Sequence, residues 1–444
     1  MSPDIEAVTR VLREHLPADQ VLTEPSAVVA ASRVWNAQVS GVPAVVARCR
    51  TTADVQAAVR AARSAGVPLS VLGGGHDWAG SAIRDGGLLV DLSPMRQVTV
   101  KDATAHVAGG ATVSDVLDAA RPHGYAAAVG TVGSVGFVGL TLGGGYGTLI
   151  GLIGLGVDNL LAAEVVLADG RVVIADPEHE ADLYWGLRGG GGNFGVVTGV
   201  GIRLHPFATV TTGMVAFGWN QARSVLRGWR DLMASADDAL DVMFGALHTP
   251  GGLVLFTAPT WAGDPGDAAG QIAAVRALGE PVLEDVGERA LADAVHAMDE
   301  LFPRGRNYHL ASRSLAGLTD AAIDAFVAAG DAMPTTCALN VHHSHGAATR
   351  VSATETAFPY RDEHLVVEIL GSWTDGDGAA ESAWVRDTAR LLDAQALPGG
   401  WANLMARDDE RARDAYGINT ERLSAVKSHY DPDGVFAAIP LGLA

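Results

Sequence analysis

Residues 187–198 read LRGGGGNFGVVT. Gly190, Gly192 and Gly195 within them have the spacing of a dinucleotide-binding fingerprint, which needs a strand before the glycines and a helix after them. Val196, Val197 and Thr198 are β-branched and predict a strand at that place, so the spacing does not mark a Rossmann site. Two more clusters of the same kind precede it, VLGGGHD at 71–77 and GLTLGGGYG at 139–147. Glycine reaches positive φ and lets backbone N–H groups approach a ligand with no Cβ in the way. Tight turns between strands account for any one cluster. Three in one chain, two of them ending in a polar or aromatic residue, point to one large ligand with a diphosphate and a flat ring. The clusters contribute 13 of the chain's 54 glycines, which make up about 12% of its 444 residues against a usual share of about 7%.

The rest of the composition excludes several classes. A chain of 444 residues predicts two or three domains, or one large enzyme domain with an insertion. The formal net charge of −20 repels phosphate backbones and anionic lipid, so neither nucleic acid nor a membrane surface is an expected partner. Cys49 and Cys337 alone make no disulfide framework and no cysteine-rich metal site. Residues 122–157 contain no Asp, Glu, Lys or Arg, enough to span a bilayer, yet 12 of those 36 residues are glycine, which makes a poor lipid-facing helix. The N-terminal MSPDIEAVTRVLREHLPADQ interleaves charges with apolar residues, as an amphipathic surface helix does, and has no apolar signal core. A cytoplasmic protein, monomer or homodimer, is the expectation. Neither Lys101 nor Lys427, the two lysines, follows a glycine, so a P-loop is excluded. Gly-x-Ser-x-Gly and His-Glu-x-x-His are absent.

Along the chain, 44–49, 67–72, 88–92, 98–100 and 196–204 predict strands. A helix with Thr52 as candidate N-cap, its buried face Val55, Ala58, Val59 and Ala62, separates the first two. Residues 114–120 predict a second helix, and 164–175 a β-hairpin turning at Asp169-Gly170. After Pro206 glycine thins out. Helices are expected at 221–234, 267–277, 288–298, 320–329 and 381–395, with strands at 253–259, 338–345 and 364–373. The reading is α+β, with glycine loops between strands in the first part and a sheet backed by helices in the second.

These segments together resemble the flavoprotein oxidases of the vanillyl-alcohol-oxidase superfamily, in the berberine-bridge-enzyme-like branch. The resemblance is carried by ARCRTTADVQAAVRAARSAG (47–66), VLGGGHDWAGSAIRDGGLLVDLS (71–93), VGFVGLTLGGGYGTL (135–149), GVDNLLAAEVVLADGRVV (156–173), DLYWGLRGGGGNFGVVTGVGIRLHP (182–206) and HYDPDGVF (429–436), in the family's order. It implies a PCMH-type FAD-binding domain of two α+β subdomains at 1–206, an inserted substrate domain at 207–385 whose antiparallel sheet is backed by helices, and a C-terminal segment, 386–444, that returns to the FAD-binding domain. It implies FAD held by Gly73, Gly74, Gly75, Asp77, Gly139, Gly143, Gly144, Gly145, Tyr146, Asp158, Asn159, Asn193, Gly195, Val196 and Tyr430. It also implies a covalent bond from His76 to the 8α-methyl of the flavin. A second link, from cysteine to flavin C6, falls in this family within 132–138, where the chain has no cysteine, so a single link through His76 is expected. The asparagine-rich tail of the family is replaced by AAIPLGLA.

The activity implied is oxidation of an alcohol, an amine or a secondary-metabolite intermediate by hydride transfer to flavin N5, with molecular oxygen as acceptor. Dehydrogenation with another acceptor and a non-redox flavin scaffold are the alternatives, and a metal-dependent hydrolase is more distant. The family's Tyr-x-Asn is Trp401-Ala402-Asn403 here, so the usual tyrosine base is absent and Trp401 is either a pocket wall or a core residue. In the strand-like stretch from Asn340 to His345, His343 and His345 share one face and Asn340 and His342 the other. Glu368, in LVVEILGSW, faces either the pocket or the outside. His343, His345, Glu368 and Trp401 are the candidate catalytic residues, and no metal site is expected.

Overall fold

The computed structural model describes residues 4–207, 209–406 and 408–442. Three sheets organise it. The first is four-stranded, with Val21–Leu22 antiparallel to Val45–Arg48, followed by Leu88–Asp91 and Leu69–Leu72 in parallel. The helix Thr52–Ala65 makes the crossover, burying Val55, Ala58, Val59 and Ala62. Its N-cap is Thr51, one residue before the expected Thr52, with Asp54 completing a capping box. Thr52 instead donates from Oγ1 to Glu164 Oε1 at 2.6 Å and ties the helix to the second sheet.

That second sheet is antiparallel, in the order Val98–Lys101, Thr104–Ala108, Val196–Arg203, Leu160–Val166, Val172–Ala175. Its last hairpin turns at Gly170, with φ +79°, as Asp-Gly predicts. The glycines of 187–198 follow the helix Ala181–Gly190 and precede the strand Val196–Arg203, the reverse of Rossmann order.

The third sheet has seven antiparallel strands: Pro281–Ala290, Thr209–Gly218, Gly252–Trp261, Leu240–Thr249, Ala338–Ser344, His364–Trp373, Asn307–Leu315. The helices Ala222–Met233, Asp320–Asp331 and Ala379–Asp393 cover one face, where Trp229, Phe326 and Trp384 pack on Phe244, Val341 and Ile369. The expected helix at 288–298 is shorter, Leu291–Met298, because residues up to Ala290 belong to an edge strand. That strand is largely exposed on both faces, so it carries no apolar alternation to betray it. Among the described residues no helix is long and apolar enough to cross a membrane.

Candidate active site

One cavity of about 390 Å³ lies where the three sheets meet. Leu69, Ser70 and Val71 of the first sheet line it, with Val196 and Val197 of the second and Asn340, His342, Glu368 and Leu370 of the third. The first and third glycine clusters reach it, and the second does so through Gly139, Gly145 and Tyr146.

The glycines serve two purposes there. A Cβ on Gly74 would overlap backbone N and Cα of Gly136, and one on Gly136 would meet Gly74 in return, so two loops interlock only because both residues lack a side chain. Gly139 is different: nothing lies within 4 Å of where its Cβ would be, and the open space is the cavity. Val138 and Gly139 belong to the first turn of the helix Phe137–Leu142, whose N–H groups have no acceptor within the helix. No lysine or arginine lines the cavity among the described residues. A diphosphate there is matched by backbone N–H groups and a helix start, a recognised anion arrangement. Ser70 Oγ and Asn403 Oδ1 are buried without a hydrogen-bond partner, and both residues line the same cavity. Buried polar atoms are rarely left unpaired, so these two atoms fit a polar ligand filling the space.

His76 lies at the rim of the first glycine loop. Its Nε2 is 2.9 Å from Ser134 Oγ, and its ring stacks on Trp35 with centroids 5.3 Å apart. Burial, with Arg304 nearby, pulls its pKa down to about 3, so the imidazole is neutral at ordinary pH.

Also lining the cavity, Tyr146 Oη donates to Glu368 Oε1 across 222 residues of sequence. His342 Nε2 is 3.7 Å from Glu368 Oε2, and Asn340, the cross-strand neighbour of Glu368, also hydrogen-bonds it. Burial alone would raise the Glu368 pKa, but His342, Tyr146 and Asn340 outweigh it and hold the carboxyl below the usual range. The Tyr146 phenol goes the other way, well above its ordinary value, because of burial and the adjacent carboxylate. Met243, Leu310 and Leu370 supply apolar wall.

Several expected residues sit elsewhere. His343 occupies the helix-covered face of its strand, His345 follows the strand's end stacked on it, and Asn340 and His342 face the cavity in their place. His343 Nε2 pairs with Glu363 Oε1 at 2.8 Å, and its ring meets His345 at 4.7 Å and Trp229 at 5.4 Å. His345 Nε2 is 3.7 Å from Asp241. Trp401 is 1% exposed and stands behind Tyr146, ring centroids 4.7 Å apart and edge-on, while its Nε1 donates to His364 Nε2 at 3.2 Å. Gly143 and Gly144 pack on Asn403 and Trp401.

Four further side chains expected at the cofactor are engaged within the protein. Asp158 pairs twice with Arg361, at 2.8 and 2.9 Å. Asn159 donates to Ile153 O and Leu155 O and lies 2.7 Å from His205 Nε2. Asn193 accepts from Ala438 N and donates to Gly190 O and Ile439 O, which leaves its side chain occupied in holding the chain end. Tyr430 donates to Glu180. Gly195 and Val196 do line the cavity, as do Gly73, Gly74, Gly75 and Asp77.

The chain end lacks the family's asparagines but still meets the site. It reaches the cavity through Phe436, Ala437, Ala438 and Ile439. Asp431 holds it there, accepting from Val435 N and Phe436 N at 2.9 Å, and Lys427 Nζ donates to Phe436 O at 2.7 Å. The buried Asp431 after Tyr430 is the sequence signal for this turn. Tyr146 facing Glu368, and His342 beside them, had no such signal. Among the described residues no group of three or more His, Cys, Asp or Glu is placed to hold a metal ion.

The family described as FAD binding domain matches residues 43–176, and that described as berberine and berberine like matches 382–439. An uncharacterized FAD-linked oxidoreductase of Bacillus subtilis, YvdP, is 30% identical over 414 residues, covering 90% of this chain and 92% of the relative. Among solved structures, 6-hydroxy-D-nicotine oxidase from Arthrobacter nicotinovorans is similar with a TM-score of 0.85 and 26% identity, over 94% of this chain and 96% of that one. Glucooligosaccharide oxidase from Acremonium strictum, described with a 6-S-cysteinyl, 8α-N1-histidyl FAD, has the same fold, with a TM-score of 0.85 and 24% identity over 99% of this chain and 100% of that one.

Proposed function

The chain belongs to the FAD-linked oxidoreductases of the berberine-bridge-enzyme-like family, and from that premise we propose that it oxidises a small organic molecule bearing an O–H or N–H group on an apolar body. The observation that carries the reading is one cavity lined both by glycine loops and His76 and by Tyr146, Glu368 and His342. In this reading 1–206 and 386–444 hold FAD and 207–385 roofs the substrate. Gly73, Gly74, Gly75, Gly139, Gly145 and Gly195 let main chain approach the cofactor, and His76 bonds it. Cys49 and Cys337 are buried away from the cavity, which favours one covalent link over two.

FAD held there would supply a hydride acceptor at N5, with molecular oxygen as the electron sink. The protein's own task is to orient the substrate, exclude water and take a proton. Met243, Leu310 and Leu370 hold the apolar body. Glu368 is the proton acceptor, since its carboxyl is held ionised while the Tyr146 phenol resists ionisation. A proton from substrate O–H or N–H moves onto Tyr146 Oη as the phenolic proton passes to Glu368 Oε1, or goes to Glu368 directly. His342 and Asn340 steady the carboxylate in the ionised form. The tyrosine missing at position 401 is thus replaced by one from the second glycine loop, with Trp401 bracing it from behind.

The test is spectral. Purified protein should be yellow and stay yellow after acid precipitation. In air-free buffer the right alcohol or amine should bleach it, and admitting air should restore the colour. Protein that takes up no FAD, or that no alcohol or amine bleaches across a broad panel, overturns the reading. Recovery only with an added artificial acceptor would replace oxygen in it.

A further inference from the structure

The segment 299–306, between the helix Leu291–Met298 and the strand Asn307–Leu315, reaches back over the first glycine loop. Arg304 donates to Gly74 O, Gly305 N to Trp35 O at 3.1 Å, and Trp35 Nε1 to Phe302 O at 2.9 Å. Asp299 Oδ1 accepts from both N and Oγ of Ser134, each at 2.9 Å. Ser134 Oγ is in turn 2.9 Å from His76 Nε2.

Donor and acceptor capacity fixes the direction of this chain. A carboxylate only accepts, so the single hydroxyl hydrogen of Ser134 points at Asp299, and Ser134 can only accept from His76. Nε2 therefore carries the imidazole proton, and Nδ1 keeps the free lone pair. Burial and Arg304 keep the ring neutral. Trp35, itself stacked on Tyr308 at 3.7 Å, holds the ring plane.

We infer that Asp299 and Ser134 are positioning residues that make Nδ1 the atom of His76 that bonds the flavin, and that they offset the positive charge developing on the imidazole as that bond forms. The inference rests on the reading that FAD is linked through His76. One C–H bond of the 8α-methyl breaks and its carbon bonds to Nδ1. The two electrons pass through the ring system to molecular oxygen. With two protons, one from the methyl and one from Nε2, they reduce it to hydrogen peroxide. The Nε2 proton leaves toward Ser134 as the hydroxyl proton moves toward Asp299, a charge-assisted path in a buried setting. Asp299 lies outside residues 1–206, so attachment of the cofactor depends on the inserted region being in place.

The experiment compares wild type with Ser134→Ala, Ser134→Thr and Asp299→Asn. Total FAD per chain is read from native absorbance. The covalent share is read from flavin fluorescence of the denatured band, followed over time in air with added FAD. At equal FAD occupancy, Ser134→Ala and Asp299→Asn should form the bond roughly a hundredfold more slowly, as expected for loss of a positioned proton acceptor. Ser134→Thr, which keeps the hydroxyl, should restore the rate. Bond formation at the wild-type rate in Ser134→Ala and Asp299→Asn overturns the inference while the His76 link stands. So does a fall in total FAD in parallel with the covalent share, the mark of a merely structural tie. Wild type that binds FAD without any covalent share overturns the link itself and the inference with it.

Discussion

The two regions that enclose the cavity work by opposite means. The glycine-rich region lines the cavity largely with main chain, through interlocked loops and space left by missing Cβ atoms. The region around the seven-stranded sheet brings side chains, with Glu368, His342 and Asn340 on adjacent strands facing inward. A main-chain site depends on which residues are absent from its loops, and its substitutions act through sterics. A side-chain site depends on charge and proton position, and its substitutions act through rate. Damage on the first side should therefore remove cofactor and stability together, and damage on the second should leave both and slow the chemistry.

The largest effect is expected at Gly74. Gly74→Ala places a Cβ against the backbone of Gly136, which has no flexible end to move aside. Overpacking of this kind costs about 3 kcal/mol. Thermal unfolding should shift down and FAD absorbance should be lost with it. Asp158→Asn is next. Asp158 and Arg361 form a two-point ion pair with side chains 11% and 4% exposed, joining the glycine loops to the segment before the strand His364–Trp373. Removing one charge leaves the other buried and unpaired, at a cost of about 3 kcal/mol, visible in chemical denaturation together with weaker retention of FAD.

Trp401→Phe keeps the ring behind Tyr146 but loses the hydrogen bond to His364, a change of about 1 kcal/mol in stability, with a smaller change in flavin reduction. His343→Gln is the smallest. His343 faces the helices, so rapid-mixing measurements should give an unchanged reduction rate. A large loss there would place His343 in the chemistry and break the division between the two faces of the strand.

The same contrast explains what the sequence disclosed. Main-chain sites leave glycine runs at fixed places, so the three loops, His76 and the strand after Gly195 were legible. Asp158 and Asn159 were legible as motif positions, but their side chains close a turn instead of meeting the cavity. The side-chain site left less trace. The alternation of Asn340, His342 and His343 was readable, but which face meets the cavity depends on packing with the helix Ala222–Met233, more than 100 residues away, where Trp229 takes the His343 side. Tyr146 and Glu368 meet only because the second glycine loop packs against the seven-stranded sheet. The edge strand Pro281–Ala290 is held by backbone hydrogen bonds to Thr209–Phe217 that composition does not report, whereas the chain end at Phe436–Ile439 is held by the side chains of Asp431, Asn193 and Lys427, of which Asp431 was legible.

Glu368→Gln tests the account most directly, in anaerobic rapid mixing with a substrate that bleaches the wild type. FAD content and its covalent share should match the wild type, and flavin reduction should slow by roughly a hundredfold, as for loss of a positioned base. In the wild type the carboxyl is held below its ordinary range, so the reduction rate should stay level as pH falls from neutral and drop only below the usual carboxylate pKa, where Glu368 becomes protonated. In Glu368→Gln that acid limb should be absent. Reduction of the variant at the wild-type rate, with the acid limb intact, would contradict the assignment of the proton to Glu368 and the division between the two regions.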